Sequence, residues 1–504
     1  MREFQIPEDV LTEEARRLLG SVGEGEMSAC AYDTAWVARV SEPENPDVPL
    51  FPAAYEWLLQ HQDADGSWGA EIRFAHDRVV CTLAALLTVA TGSYRRQESE
   101  VAARRAIVYL NQAKLSLRDD AAETVGFELL LPELVRQAQA LGISLPYHDW
   151  QFVDELKADK LKRIPPIAVY GGPTTLTHSL EYLGDGLVAA LVSRSQGPNG
   201  SYGASPSATA YVHVRAPEEE TLAYLNSIPN AALGGGVPDV YPINVFETAW
   251  VLQSLMPLQA KIPEYADAAR ALLGYWTPQG VSFTDSGMVS DADDSAVTVA
   301  VLQAQGLPTS PEVFELFEGD EYFFCFPFER NQSVRANAGV LEALKLFPST
   351  PSRRRMILKL VHYLREARED DTYWIDKWHA SPFYATSRVI TALSGLDNQL
   401  VRSAVQWVLG QQHETGAWGF GDGTAEETAY AVEALVGGTS ADPALSQIVA
   451  TAIDSGVSFL ADEFHAGERP SLWVGKGLYT PRKVVEAAII GAIGRAASHR
   501  NGKP

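Results

Sequence analysis

The sequence predicts an all-α fold. Apolar segments recur at helical spacing, no alternating strand pattern of comparable length competes with them, and a Gln–Gly–aromatic element returns along the chain. Taken in order, the N-terminal stretch MREFQIPEDVLTEEARRLLG reads as an amphipathic helix. It carries acidic residues and lacks a signal-peptide core, so a cytoplasmic protein is expected. The segments CTLAALLTVATG, TAWVLQSL, DSAVTVAVLQAQG, VITALSGL and TAYAVEALVGG then read as helices, several closed or followed by glycine. Between them, Gln60-His61-Gln62 precedes Asp65-Gly66-Ser67-Trp68-Gly69, Gln196 precedes Asn199-Gly200-Ser201-Tyr202-Gly203, and Gln411-Gln412 precedes Thr415-Gly416-Ala417-Trp418-Gly419. A helix that ends in Gln, a Gly turn and a ring laid on the next unit would repeat in this way, with the Gln amide tying down loop backbone.

A second element opens the following helix with polar residues: Tyr32-Asp33-Thr34-Ala35-Trp36, Phe246-Glu247-Thr248-Ala249-Trp250, Asp293-Asp294-Ser295-Ala296 and Glu426-Glu427-Thr428-Ala429-Tyr430. Acidic residues suit the positive end of a helix dipole. Inner and outer helices alternating around a closed ring, an α/α barrel, would produce this rhythm. At roughly 150 residues per domain, the 504 residues suggest two or three such lobes.

Composition narrows the function. A net charge of −24 argues against nucleic acid, whose phosphates need clustered Lys and Arg. It still allows a small phosphorylated substrate held by a metal ion and a few local cations. No uncharged apolar run of about 18 residues appears, so no integral membrane segment is expected. Cys30, Cys81 and Cys325 lack CxxC spacing and read as buried free thiols.

Asp291-Ala292-Asp293-Asp294 opens an almost wholly apolar helix. One reading is a solvent-facing helix cap. The other is a crowded acid at the end of an inner, cavity-lining helix. Carboxylates crowded there cannot all ionise, so a proton is retained near neutral pH. A neutral carboxylic acid aimed at an apolar pocket can protonate a carbon–carbon double bond, and ring faces can stabilise the cation that follows.

At this point the chain resembles class II terpene cyclases. Asp291-Ala292-Asp293-Asp294 matches their DxDD motif, shared with squalene–hopene cyclases, and the Gln/Gly/Trp elements are similar to the QW-type repeats of that superfamily. Ser28 to Ala38 resembles the SxxYDTAWVA signature of diterpene cyclases. Lys160-Leu161-Lys162-Arg163-Ile164-Pro165, Ser205 to Ala210 and Gly235 to Pro242 resemble segments of copalyl diphosphate synthases, in the same order. Asp376-Lys377-Trp378-His379 and Leu472-Trp473 through Lys476 to Tyr479 resemble bacterial halimadienyl diphosphate synthases.

The resemblance implies two α-barrel domains in a βγ arrangement: β as residues 1–25 plus 240–504, γ as residues 26–239, with the active site between them. It makes Asp293 the proton donor, with Asp291 and Asp294 holding its geometry and a second proton. Asn337 occupies the place of a polar group that supports the acid, while Gly339 stands where relatives carry a second one. His178 and Asp239 stand where copalyl synthases place a His and an Asn that hold the terminating water; the pair would make His178 a better base. A satisfied core histidine is the alternative. Glu181 and Asp185 match an ExxxD-type Mg²⁺ motif, or else form a helix-end charge pair. Lys162, Arg163 and Lys476 are expected at the diphosphate, unless each is a solvated surface group, and Trp378 at the substrate. The lack of DDxxD implies that the product keeps its diphosphate and passes to a separate class I terpene synthase or phosphatase. The expected reaction is Mg²⁺-dependent cyclisation of geranylgeranyl diphosphate to a copalyl-type diphosphate. Rearranged halimadienyl or kolavenyl products, a drimenyl product, a squalene–hopene-type cyclase and a non-catalytic α/α-barrel binding protein are the alternatives.

Overall fold

In the computed structural model six helices close a ring: Asn244–Leu255, Ala292–Ala304, Val334–Lys345, Pro382–Leu393, Ala425–Gly438 and Arg482–Arg500, each packed on the next and the last on the first. Outer helices, among them Pro263–Leu273, Pro351–Glu366, Asn398–Gly410 and Ser446–Asp462, wrap it, and the N-terminal helix Glu8–Leu19 packs on the last inner helix. A smaller ring is closed by Ala31–Ala38, Ala75–Thr91, Phe127–Ala140, the 3-10 segment Thr175–Gly186 and Pro206–Arg215. The structure describes residues 6–113, 117–118, 120, 122–165, 167–326, 329–439 and 443–500. The fold is all-α with two barrels. One core draws on Ile6 to Met27 and Ile243 to Ala496, the other on Cys30 to Val237. A small third cluster joins Ile72 and Phe74 to Ala380, Leu472, Val474 and Leu478.

The two helix classes differ as burial requires. Ala292–Ala304 is buried at nearly every position. The outer helix Pro351–Glu366 buries only Met356, Leu360, Tyr363 and Leu364, a stripe at intervals of four, three and one.

Three aromatic elements close these rings with the same bonds, while the Tyr202 copy keeps the backbone one, from Tyr202 N to Thr209 Oγ1 at 2.9 Å, without a ring bond. Trp68, Trp374 and Trp418 donate their indole N–H to the carbonyls of Leu58, Leu364 and Val408, at 2.8, 2.7 and 2.7 Å. Each of those bonds runs back to the preceding helix. Their backbone N–H groups reach forward to the Thr82, Thr386 and Thr428 hydroxyls of the next inner helix, at 3.0, 3.1 and 3.0 Å. Gln62 and Gln412 each donate to a loop carbonyl and to an outer-helix carbonyl, Ala102 and Ala452.

Two short antiparallel pairs interrupt the helical pattern: Ser41–Glu42 with Asn45–Pro49, and Trp473–Val474 with Leu478–Tyr479. Two-residue strands are too short to register as an alternating pattern. The second hairpin pins the barrels together. Leu478 N donates to Asp77 Oδ1 at 2.9 Å, Lys476 N to Asp239 Oδ1 at 3.1 Å, and the Gly475 carbonyl accepts from Val125 N at 2.7 Å.

Candidate active site

Inner helices begin on a capping side chain: Ser333, Ser381 and Thr424 each accept from a backbone N–H of the first turn. Asp291 takes that place on Ala292–Ala304, accepting from Asp294 N at 2.8 Å. The cap fixes Asp293 and Asp294 in the first turn, and all three carboxyls are buried. They do not face solvent.

Beside them lies a chamber of about 920 Å³ counted to its open mouth. Both barrels line it. Asp291, Asp293 and Asp294 share its wall with Phe246, Trp250, Phe283, Phe326, Trp378 and Trp473, while Val125, Thr175, His178 and Asp239 close it from the smaller barrel. A chamber walled by rings, with a few acids aimed into it, suits an apolar guest that acquires positive charge.

The three acids differ in their partners. Burial pushes Asp291 up to about 7 and Asp293 up to about 6. Asp294 rises well above the usual carboxylate range, by burial first and then by the charge and hydrogen bond of Asp291. Of the three, Asp294 is the one its surroundings push most strongly toward the neutral form. Asp293 is held from rising further by an ion pair with Arg335, itself 1% exposed. Arg335 also donates to Tyr384 Oη at 3.1 Å and Gln253 Oε1 at 3.2 Å, and its guanidinium lies 4.7 Å from the Trp250 ring centroid.

The chamber continues into a polar vestibule through shared walls at Val125, Thr175, Phe326 and Trp378. Lys160, Arg330 and Lys377 bring three cations to it, and Glu123, Glu128 and Glu329 bring three carboxylates. They are paired: Lys160 with Glu128 at 2.7 Å, Arg330 with Glu123, and Lys377 with Glu329.

With this geometry in view, comparison with known proteins is specific. Residues 331–466 match the squalene-hopene cyclase C-terminal domain. A type B diterpene cyclase of Mycobacterium tuberculosis is 32% identical over 94% of this chain and 96% of its own length. The chain is a class II diterpene cyclase. The ent-copalyl diphosphate synthase from Streptomyces platensis superposes with a TM-score of 0.80 at 28% identity, covering 97% of this chain and 99% of the solved one. Ent-copalyl diphosphate synthase 1 of rice, Oryza sativa subsp. japonica, is 35% identical over 73% of this chain but only 43% of the plant protein. No helix among the described residues is long and apolar enough to cross a membrane.

The cyclase places several sequence-predicted residues elsewhere than expected. Asn337 does not touch the acid. Its side chain accepts from Phe323 N at 2.8 Å and donates to the Phe323 and Ser333 carbonyls, bracing a loop. Two residues along a helix is about 200° of rotation, so Arg335, not Asn337, faces Asp293. Gly339, one turn on, leaves the guanidinium its room: a Cβ there would lie 2.6 Å from Arg335 Nη1.

Glu181 and Asp185 are not brought together. Glu181 is buried on Lys476 at 2.7 Å, while the Asp185 side chain is 81% exposed beside Arg136 and Arg215. Residues four apart share a face only on a regular helix, and this segment is a kinked 3-10 stretch that breaks at Ser179 and at Gly184, whose φ of 54° turns the chain away.

Lys476 is not at the vestibule either. It is fully buried, and its ammonium is spent on Glu181, Ser205 and Ser207. Lys162 and Arg163 point to solvent, Lys162 on Asp159. Lys160 of the same helix is the one that turns inward, again by helical rotation. Trp378 does stand at the junction of chamber and vestibule.

His178 and Asp239 both line the chamber, with His178 Nε2 and Asp239 Oδ2 4.0 Å apart, beyond hydrogen-bonding distance. The pairing does not raise the basicity of His178. Burial, then the Lys476 charge, push its pKa down to about 3.

Proposed function

We propose that this cyclase protonates geranylgeranyl diphosphate, closes two rings through successive tertiary cations and releases a copalyl-type bicyclic diphosphate with its diphosphate intact. The observation that carries this reading is the sequence of environments along one cavity: buried acids, then ring faces, then a polar vestibule where three cations meet three carboxylates. Asp293 is the donor, since its carboxyl lines the chamber and the neighbouring Arg335 charge makes its protonated form a strong acid. Asp294 holds the proton that reloads it, and Asp291 fixes the turn that presents both. Phe246, Trp250 and Trp473 offer faces to the growing cation and keep water away.

The diphosphate is assigned to Lys160, Arg330 and Lys377. Mg²⁺ is assigned to the same rim, where Glu123, Glu128 and Glu329 carry the hard oxygen donors it prefers, each paired here with one of these cations, whereas Glu181 and Asp185 stand apart. When bound, the ion would neutralise diphosphate charge. Names borne by relatives, copalyl diphosphate synthase among them, support the C20 substrate and the product class.

Incubation with farnesyl, geranylgeranyl and longer diphosphates, followed by dephosphorylation and identification of the alcohols, tests the assignment. A bicyclic C20 alcohol is expected. Conversion only of a different chain length, or of none, would reject it.

Arg335→Gln tests the tuning of the acid. The protonated form of Asp293 is the active one, so turnover falls as pH rises through its pKa of about 6. Losing the guanidinium removes the influence that holds this pKa down. The alkaline limb of kcat should move to higher pH by about 1–3 units. The plateau should fall by about tenfold, because the acid is weaker. A lowered plateau with an unmoved limb would leave Arg335 a purely structural role.

A further inference from the structure

We propose that the buried carboxylate of Glu426 polarises Trp473, and that this makes the Trp473 ring the principal holding surface for the cation formed in the chamber. Glu426 is a positioning residue that acts through the indole it binds. The inference rests on the cyclisation chemistry proposed above and deepens it at the larger barrel's wall.

Three segments that neither the acid nor the vestibule explains meet at one point: His379, Glu426 with Tyr430, and Trp473. Glu426 stands in the first turn of the inner helix Ala425–Gly438 and is 1% exposed. Trp473 lines the chamber, Glu426 does not, and the indole N–H donates to Glu426 Oε1 at 2.8 Å. Tyr430 Oη donates to the same oxygen at 3.0 Å, and His379 Nε2 lies 3.2 Å from it. His379 Nδ1 accepts from Ser381 N at 3.1 Å. The ring hydrogen therefore sits on Nε2, and the imidazole that donates to Glu426 is neutral.

Three donors on Oε1 leave no place there for an acid hydrogen. Oε2 is buried and has no hydrogen-bond partner that could take one. The group is a carboxylate. Among the described residues no Lys or Arg makes an ion pair with it, since Arg388 and Arg469 pair with Glu433 and Glu463 instead. An anion whose partners are all neutral dipoles keeps its field in a low-dielectric interior. Here the field acts through the indole. A carboxylate on the N–H pushes electron density into the ring, and its charge adds to the attraction of the ring face for a cation.

The other two indoles in the chamber wall are biased the opposite way. Trp250 gives its N–H to the neutral Tyr384 Oη at 3.0 Å and has the Arg335 guanidinium against its ring. Trp378 has Lys377 Nζ 4.8 Å from its ring centroid. A ring already engaged by a fixed cation is a poor host for a second. Phe246 and Tyr384 pack Trp473 at centroid distances of 5.4 and 5.0 Å, which fixes the orientation of the favoured ring. Positive charge that starts beside Asp293 and Arg335 is therefore drawn toward Trp473.

The experiment measures inhibition of the full chain by two diphosphates of geranylgeranyl length. One carries a tertiary ammonium in place of a cationic carbon, and the other is its uncharged hydrocarbon isostere. The wild type should bind the ammonium form about tenfold more tightly. Glu426→Gln keeps the shape and an oxygen for Trp473 but removes the charge. It should abolish that preference and lower kcat on geranylgeranyl diphosphate about tenfold with KM little changed, because the alkene is uncharged until the transition state. Trp473→Phe, which loses the N–H, should lose the preference as well. Tyr430→Phe removes a bond from the same oxygen while leaving the charge and the indole, so it should keep the wild-type preference even where it melts lower. Equal binding of the two analogues by the wild type, which needs no variant to fold, overturns the proposal. So does a folded Glu426→Gln or Trp473→Phe enzyme with the wild-type preference, or a Tyr430→Phe enzyme that loses as much of it as Glu426→Gln. A wild type that consumes no prenyl diphosphate sinks the parent reading. Turnover with a preference indifferent to Glu426 sinks only this one.

Discussion

Asp293→Asn should lower kcat for cyclisation by about 10²–10⁴-fold while leaving the chain folded. The carboxamide has the shape of the acid and still offers an oxygen to Arg335, so the contacts to Tyr384 Oη and Gln253 Oε1 can persist. It has no carboxyl proton to give. Asp294 lies well above the usual carboxylate range, by burial and the neighbouring Asp291 and Asp293, and the Arg335 charge is only its smallest influence. Lacking the direct ion pair that Asp293 makes with Arg335, Asp294 is a weaker acid than Asp293 and should not replace it. Circular dichroism and a melting curve separate lost chemistry from lost fold, and kcat on geranylgeranyl diphosphate reads the chemistry. Near-normal turnover in a folded Asp293→Asn protein would remove Asp293 from the role of donor.

The acid was legible because it is contiguous. Asp291, Asp293 and Asp294 fall within one cap and one helical turn, so residue order alone carries their spacing. The barrels were legible for a similar reason: the Trp68 and Trp418 elements tie the indole to a carbonyl 10 residues back and the Gln amide to carbonyls 4 and 40 residues on. Trp374 makes the same indole and backbone bonds and escaped notice, because Thr372 stands where the Trp68 and Trp418 copies have glycine, and Asp370 and Asp371 take the positive φ instead. The vestibule was not legible. Lys160, Arg330 and Lys377 are individually ordinary residues, and only closure of two barrels brings them to one rim. Errors nearer the motifs came from rotation and not from the wrong segment. Lys160 replaces Lys162, and Arg335 replaces Asn337, each by about 200° around its helix. Glu181 and Asp185 failed because helical spacing was assumed where the backbone turns out of the helix at Gly184.

Lys476→Met should destabilise the protein by about 3–5 kcal/mol, because it strands Glu181 as an uncompensated buried charge. Lys476 is 0% exposed, and Glu181 is 1% exposed with its second carboxylate oxygen already lacking a donor. The pair spans the two barrels, from the hairpin around Gly475 to the Thr175–Gly186 segment, with Ser205 and Ser207 completing the ammonium's contacts. Replacing both charges is a different matter. Glu181→Leu combined with Lys476→Met leaves no orphaned ion, so the double variant should recover most of the loss, and the two single effects should be strongly non-additive. Chemical unfolding of the wild type, the two single variants and the double variant closes this cycle. If Lys476 instead held the diphosphate, Lys476→Met would raise KM with little change in unfolding midpoint, and adding Glu181→Leu would restore nothing. Additive losses in stability would likewise show that the two charges do not depend on one another. The buried pair sits behind Asp239, so its integrity also decides whether the chamber keeps its floor: a barrel contact loosened at Lys476 would admit water next to the cation, and the Lys476→Met enzyme that does fold should release a larger share of hydroxylated diphosphate than the wild type.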